Sequence, residues 1–194
     1  MSNLRFYNQN ALAFCEATIH NDMRVHYARF LAHVRPGSHI LDAGCGSGRD
    51  ARHFLELGYS VTAFDASETM CQLAAAHLGQ AVPCLRFEEM TWCEAFDAIW
   101  ACASLLHVPL VDLPDVFKRL HTALRPGGIL YASFKYGHGE TRRGERTFTD
   151  FTENTLKDQL LAAGLFEILE LFVTTDVRPD HAGEAWVNVI AVKG

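Results

Sequence analysis

The stretch that limits this chain most is residues 41–50, LDAGCGSGRD, where three glycines take alternate positions directly after a short apolar run. Glycines so spaced permit positive φ and let another group come close to the backbone. Helical spacing resumes at once through Ala51, Phe54, Leu55 and Leu57, and Gly58 stands where a helix stops. Residues 38–43 therefore read as a buried strand, followed by a glycine loop and a helix. In an open parallel sheet, ligands sit beyond the carboxyl ends of the strands, where the next helix offers free N–H groups.

The same alternation continues along the chain. Residues 59–64 read as a second strand, 67–78 as a helix capped by Ser67, 84–87 as a third strand and 96–101 as a fourth. A helix over 113–124 ends at Arg125, Pro126, Gly127 and Gly128, before a fifth strand at 129–134. Residues 135–150, KYGHGETRRGERTFTD, form the longest expected loop. Thr152 then caps a helix to Ala163, with Gly164 as its stop, and the runs 166–174 and 185–192, joined by RPDHAG, should pair as an antiparallel hairpin. Strands alternating with helices imply an open, mostly parallel sheet covered on both faces.

Ahead of the first strand, Ala11, Leu12, Phe14, Cys15, Ile19, Met23, His26, Tyr27, Phe30 and Leu31 carry amphipathic helical spacing. At 194 residues and 49% hydrophobic, the chain reads as one domain, with a helical cap over 1–35 and a core over 36–194. A net charge of -6 gives no field for polyanions, so no nucleic-acid partner is expected. The six cysteines include no CxxC pair, which suits reduced thiols and a cytoplasmic location. The N-terminus lacks a basic start before an apolar core, and no apolar run is long enough to span a membrane, so neither export nor membrane insertion is expected. The ten histidines show no HExxH pattern, so no metal site is expected, and the chain should act as a monomer or homodimer.

Spacing separates two cofactor classes. A dinucleotide site has GxGxxG, with a pyrophosphate at the helix N-terminus. This chain has GxGxG at Gly44, Gly46 and Gly48, preceded by Asp42, whose carboxylate would repel a pyrophosphate and attract an ammonium group. The expected ligand is an adenosine-bearing cofactor with a cationic amino-acid tail.

ILDAGCGSG resembles the first motif of class I S-adenosylmethionine-dependent methyltransferases. The resemblance runs in firm register over residues 36–135, through VTAFDAS, LRFEEMTW, FDAIWACASLLHV and LRPGGILYASF. It implies an α/β, Rossmann-like, doubly wound seven-stranded sheet, mostly parallel with an antiparallel last strand, under an N-terminal helical lid. It further implies that Asp65 holds the ribose hydroxyls, with Ala66 and Met70 beside it, that Glu89 or its neighbour Glu88 meets the adenine amine, and that Met90 packs the ring. GRD after the glycines and FTENTL before the last helix are similar to small bacterial methyltransferases of the tellurite-resistance type.

Methyl transfer from a sulfonium is an in-line displacement that releases a neutral thioether, so orientation carries much of the catalysis. His107 and Lys135, after the fourth and fifth strands, are the candidate catalytic groups. Arg142, Arg143 and Arg146 would suit an anionic acceptor, and Tyr7 is placed to close over the cofactor. WACASLLH has no DPPY or NPPY, the motif of enzymes that methylate exocyclic amines of DNA bases. The function expected is methyl transfer to a small-molecule O, N, S or metalloid acceptor. The alternative is a regulatory domain that binds S-adenosylmethionine or S-adenosylhomocysteine without turnover.

Overall fold

The structure is a computed structural model describing residues 3–178, 181 and 183–194. Two helices, α1 (Asn3–Thr18) and α2 (Arg24–Leu31), precede β1 (His39–Ala43). The chain continues through α3 (Arg49–Glu56), β2 (Ser60–Phe64), α4 (Glu68–Leu78), β3 (Phe96–Ala101), α5 (Leu113–Ala123) and β4 (Leu124–Lys135). It closes with β5 (Gly139–Arg143), β6 (Arg146–Asp150), α6 (Glu153–Ala163), β7 (Phe166–Thr175) and β8 (Ala185–Lys193). The expected caps form: Ser67 Oγ accepts from Met70 N–H, Thr152 Oγ1 accepts from Thr155 N–H, and Gly164 ends α6 in the left-handed conformation.

The main sheet runs β2-β1-β3-β4-β8-β7. Its first four strands are parallel, and β8 is antiparallel to both of its neighbours. Alternation along the strands divides the core between two faces. Leu41, Ile99, Ala101, Leu130 and Val189 pack with Val116, Phe117 and Leu120 of α5 and with Leu156 and Leu160 of α6. Ile40, Ala98, Trp100, Tyr131 and Ile190 pack with Tyr27 and Phe30 of α2, Phe54 of α3 and Ala74 of α4. Burying those aromatic rings, each worth about 1.5–3 kcal/mol, ties α2 to the sheet. Among the described residues, no helix is long and apolar enough to cross a membrane.

Three expectations change. The main sheet has six strands rather than seven, because residues 84–87 contribute only the bridge Asp65↔Cys84 and then a 3-10 turn, Phe87–Glu89. The Glu89 carboxylate takes the Arg86 N–H at 2.8 Å, so a local side-chain bond ends the ladder there. Residues 135–150 are a hairpin rather than a loop: β5 and β6 pair antiparallel, Arg143 faces Arg146, and Gly144 at φ +61° makes the two-residue turn. In addition, β4 starts at Leu124 and pairs with Phe96 before residues 125–128 bulge out. The β7–β8 hairpin is as expected; of its connecting RPDHAG, Pro179, Asp180 and Ala182 lie outside the described residues.

Candidate functional site

A cavity of about 1060 Å³ opens at the carboxyl ends of β1, β2, β3 and β4 and runs on beneath α1 and α2. That volume is at the upper end for a small-molecule site, enough for a cofactor and an acceptor together. The glycines of the loop at its floor have separate physical reasons. A Cβ on Gly44 would lie 2.5 Å from Ser104 Cβ, so this glycine lets the end of β1 close against the segment after β3. A Cβ on Gly48 would press on Leu78 at 3.2 Å, so this glycine serves the contact of α3 with α4 and is not on the cavity wall. Gly46 faces the cavity with φ +53°, and only Phe14 of α1 comes within 4 Å of where its Cβ would be.

Asp65, at the end of β2, is on the wall. Its Oδ2 accepts from Gly46 N–H and its Oδ1 from Ser67 N–H, both at 2.9 Å. Burial holds its carboxyl above the ordinary carboxylate range, against the pull of those N–H groups. Each oxygen keeps a further lone pair for a ligand hydroxyl. Ala66, Met70 and Glu88 also line the cavity, and Met70 Sδ meets Cys15 of α1 at 3.7 Å. Glu89 and Met90 do not: Glu89 caps its own turn, and Met90 is buried among Leu105, Phe117 and Leu120.

Asp42 is also off the wall. Its Oδ2 accepts the Ala51 N–H at 3.0 Å, tying β1 to the first turn of α3, and burial with Asp50 nearby pushes its carboxyl well up. The carboxylate that organises this end of the cavity is Asp50. It accepts from Tyr27 OH at 2.5 Å, Trp100 Nε1 at 2.9 Å and both Nε and Nη2 of Arg49. Burial alone would raise its carboxyl, but Arg49 and those donors hold it below the ordinary range. Arg49 also donates to Thr18 O, fastening the end of α1 to the loop. Sequence reading passed over Asp50; its signal was the GRD that follows the glycines directly.

α1 lies across the cavity. Asn8 Oδ1 accepts from Ser67 Oγ at 2.6 Å, and the Asn3 amide pairs with both the N–H and the C=O of Thr147 at 2.8 Å, joining α1 to α4 and to β6. Tyr7 OH lies 2.7 Å from His107 Nε2 and accepts from Arg146 at 3.3 Å. Burial, with Arg146 adding to it, pushes His107 down to about 4, so the ring is neutral at pH 7. The Arg146 guanidinium stacks over Phe6 at 4.5 Å and Phe148 at 5.1 Å and lines the cavity. Arg143 also lines it but is paired with buried Asp150, whereas Arg142 turns to Gly144 O and is off the wall.

At the far end, Lys135 pairs with Glu184 and lies 4.8 Å above the Trp186 ring. Burial, with Arg178 next in effect, brings it down to about 8. Asp176, His181 and Glu184 bring three ligating atoms within 4.8 Å of one another, a group no sequence spacing announced. Each is already engaged: Asp176 with Arg178 and Trp186, and Glu184 with Lys135 and His181.

With this geometry in view, comparison with known proteins is specific. Residues 40–128 match the profile of a methyltransferase domain. A malonyl-[acyl-carrier protein] O-methyltransferase from Erwinia pyrifoliae is 34% identical over 116 residues, 56% of this chain and 43% of that protein. A trans-aconitate 2-methyltransferase from Deinococcus radiodurans is 32% identical over 107 residues, 54% of this chain and 40% of that protein. The matched part thus spans less than half the length of these relatives. In structure, the chain is similar to a Burkholderia thailandensis 1,6-didemethyltoxoflavin N1-methyltransferase with bound 1,6-didemethyltoxoflavin and S-adenosylhomocysteine. The TM-score is 0.80 at 27% identity, over 98% of this chain and 84% of that one.

The methyltransferase match over residues 40–128, the relatives and the S-adenosylhomocysteine-bound neighbour together support a class I S-adenosylmethionine-dependent methyltransferase. Within that class, these relatives have different acceptors by name, and the likeness to the tellurite-resistance type stays a resemblance.

Proposed function

We propose that the chain transfers a methyl group from S-adenosylmethionine to a small acceptor carrying an anionic oxygen, most simply a carboxylate. The observation that carries this reading is Arg146. Of the cavity-lining arginines, Arg49, Arg143 and Arg178 each face a carboxylate, Arg86 has Glu88 and Arg119 donates to the Met90 carbonyl, while Arg146, held on aromatic rings, has no carboxylate or backbone carbonyl partner among the described residues. A guanidinium held on aromatic rings, with Tyr7 OH beside it, is an open fork for a carboxylate. Two of the relatives are named for carboxylic acids or their conjugates, which fits the same chemistry.

The residues divide as follows. Asp65 takes the ribose hydroxyls, Gly46 leaves room for the cofactor's passage, and Glu88 with Phe87 flanks the adenine. When bound, the cofactor supplies an electrophilic methyl on a sulfonium. The α1 helix excludes water from above, through Phe14 over the loop and Asn3 on Thr147. A carboxylate is already ionised at neutral pH, so no residue need remove a proton from it. His107 is then a positioning residue, holding Tyr7 and through it Arg146, and Lys135 with Glu184 lines the far wall without moving a proton.

The test is turnover of methyl-labelled S-adenosylmethionine with a panel of small mono- and dicarboxylic acids. Arg146→Ala should raise KM for the accepted acid roughly 10- to 100-fold while S-adenosylhomocysteine affinity stays within twofold, the pattern of lost acceptor binding. Arg142→Ala should change neither. Equal effects of the two variants on KM, or acceptance of neutral substrates alone, would overturn the reading.

A further inference from the structure

Among the described residues, His26 Nδ1 is the one buried side-chain nitrogen or oxygen without a hydrogen-bond partner. His26 lies on α2, is 7% exposed, lines the cavity and meets Thr174 of β7. Buried polar atoms are nearly always paired, so an orphan on the wall of a ligand cavity calls for an occupant.

The surrounding bonds favour one tautomer of His26, and with it what that occupant offers. Asn188, buried on β8, turns its Nδ2 to two backbone carbonyls, Phe172 O and Trp186 O, at 3.3 Å each. Carbonyls only accept, so the nitrogen is on that side, and Oδ1 accepts from Tyr131 OH at 2.8 Å. The same Nδ2 donates to Thr174 Oγ1 at 3.0 Å. The Thr174 hydroxyl then has its own proton to place, and His26 Nε2 lies at 3.4 Å to receive it. With Nε2 accepting, the proton of the ring is on Nδ1. Burial, with Arg49 and Arg29 opposing any added charge against Asp50 and Asp22, keeps the imidazole neutral, so one N–H is all it has to give.

Position assigns the partner to the acceptor side of the cavity. Asp65 follows β2 at one edge of the sheet, and Thr174 lies on β7 at the other, with five inter-strand steps between. At about 4.8 Å per step this is roughly 24 Å, well beyond the reach of one methionyl tail from a ribose at Asp65. The charges nearest that end, Lys135 with Glu184 and Asp176 with Arg178, are already matched, so the lobe suits a neutral group rather than a second anion.

We infer that His26 is a specificity-determining residue whose Nδ1–H donates to a neutral carbonyl oxygen or ring nitrogen of the methyl acceptor, at the end opposite its anionic group. This rests on the reading that the cavity holds cofactor and acceptor together. An acceptor with an anion at Arg146 and a carbonyl or heteroaromatic nitrogen at His26 meets both ends.

The experiment uses the full chain with ¹⁵N-labelled histidine, first free, then saturated with S-adenosylhomocysteine, then titrated with nicotinamide as a planar neutral carbonyl probe. The expected result is an Nδ1–H tautomer for His26 in the free protein. S-adenosylhomocysteine should leave its Nδ1 resonance in place, and nicotinamide should shift it. His26→Ala should weaken nicotinamide about tenfold with S-adenosylhomocysteine affinity unchanged, which also shows the variant is folded. His26→Asn, which keeps an N–H near the Nδ1 position, should restore most of that loss. An Nε2–H tautomer, a shift caused by S-adenosylhomocysteine itself, or nicotinamide failing to bind or binding His26→Ala as well as wild type would overturn the inference. Failure of S-adenosylhomocysteine to bind the wild-type chain would instead overturn the proposed function, and the tautomer would still decide the fate of His26.

Discussion

Replacing Asp65 by alanine separates the cofactor function of this site from its structural one. In the free protein the carboxylate joins the Gly46 and Ser67 N–H groups, and both oxygens keep a lone pair toward the cavity. Two ribose hydroxyls donating to a charged acceptor are worth about 1.5–3 kcal/mol each before the competing backbone bonds are discounted. The net loss on Asp65→Ala should be about 2–4 kcal/mol, or roughly 30- to 1000-fold in S-adenosylhomocysteine affinity by calorimetry. The two N–H groups left behind belong to residues that line the cavity, so stability should fall by only about 1–2 kcal/mol, a few degrees in Tm for a domain of this size. Asp65→Asn keeps one acceptor oxygen and should lose about tenfold. Acidity adds a second reading. Because burial holds the Asp65 carboxyl above the ordinary range, wild-type affinity should decline at a higher pH than an exposed aspartate would dictate, and that acid limb should vanish in Asp65→Ala. Unchanged affinity in a folded Asp65→Ala, or an acid limb that survives it, would refute the assignment of the ribose to Asp65.

Three further outcomes follow from neighbouring geometry. Asp50→Ala leaves the Arg49 guanidinium, Tyr27 OH and Trp100 Nε1 without their acceptor, so stability should drop by about 3–5 kcal/mol and Tm by roughly 6–20 °C; a loss under about 3 °C by calorimetry would show that Asp50 is not the organising carboxylate. His107 is held at about 4 against a usual 6.5, so between those values the unfolded chain binds the extra proton and stability rises with pH. Denaturant titrations of His107→Asn should show that slope reduced by one proton's worth, about 1.4 kcal/mol per pH unit, and an unchanged slope would place the titration elsewhere. Deleting α1 through Thr18 should leave a folded core with turnover reduced at least tenfold, whereas deletion through Leu31 removes buried Tyr27 and Phe30 and should unfold the chain; full turnover in the shorter deletion would show that α1 is no lid.

Periodicity and caps made most of the fold legible. Ser67, Thr152 and Gly164 bound their helices as their chemistry requires, and the apolar runs at β3 and β4 are buried on both faces, which a parallel strand shows as an unbroken apolar stretch. The β5–β6 hairpin was hidden because its first strand, GETRR, has no apolar alternation; its order comes from Asn3, Asp150 and the rings beneath Arg146. The third strand misread because LRF looks like a strand, while Glu89 three residues on takes the N–H that would have extended the ladder. In the site, the glycine loop could be placed from spacing, and Asp65 from the resemblance to the methyltransferase family. Asp42 could not, because spacing puts it at the strand end without saying that Ala51 N–H would claim it and turn it from the cavity. His26 and Thr174 meet across 148 residues of sequence separation, with Asn188 bonded to the same hydroxyl, and no local pattern announces that meeting.

The most direct test of methyl transfer is mass spectrometry of a small-molecule metabolite extract after incubation with the full chain and S-adenosylmethionine carrying a trideuterated methyl group. Methyl transfer predicts that one acidic metabolite gains a trideuteromethyl in place of a hydrogen, in amounts that grow with time and are absent with Asp65→Ala. If the chain binds S-adenosylhomocysteine yet no metabolite acquires the label, the domain is a cofactor-binding module without turnover, and the proposed function is contradicted.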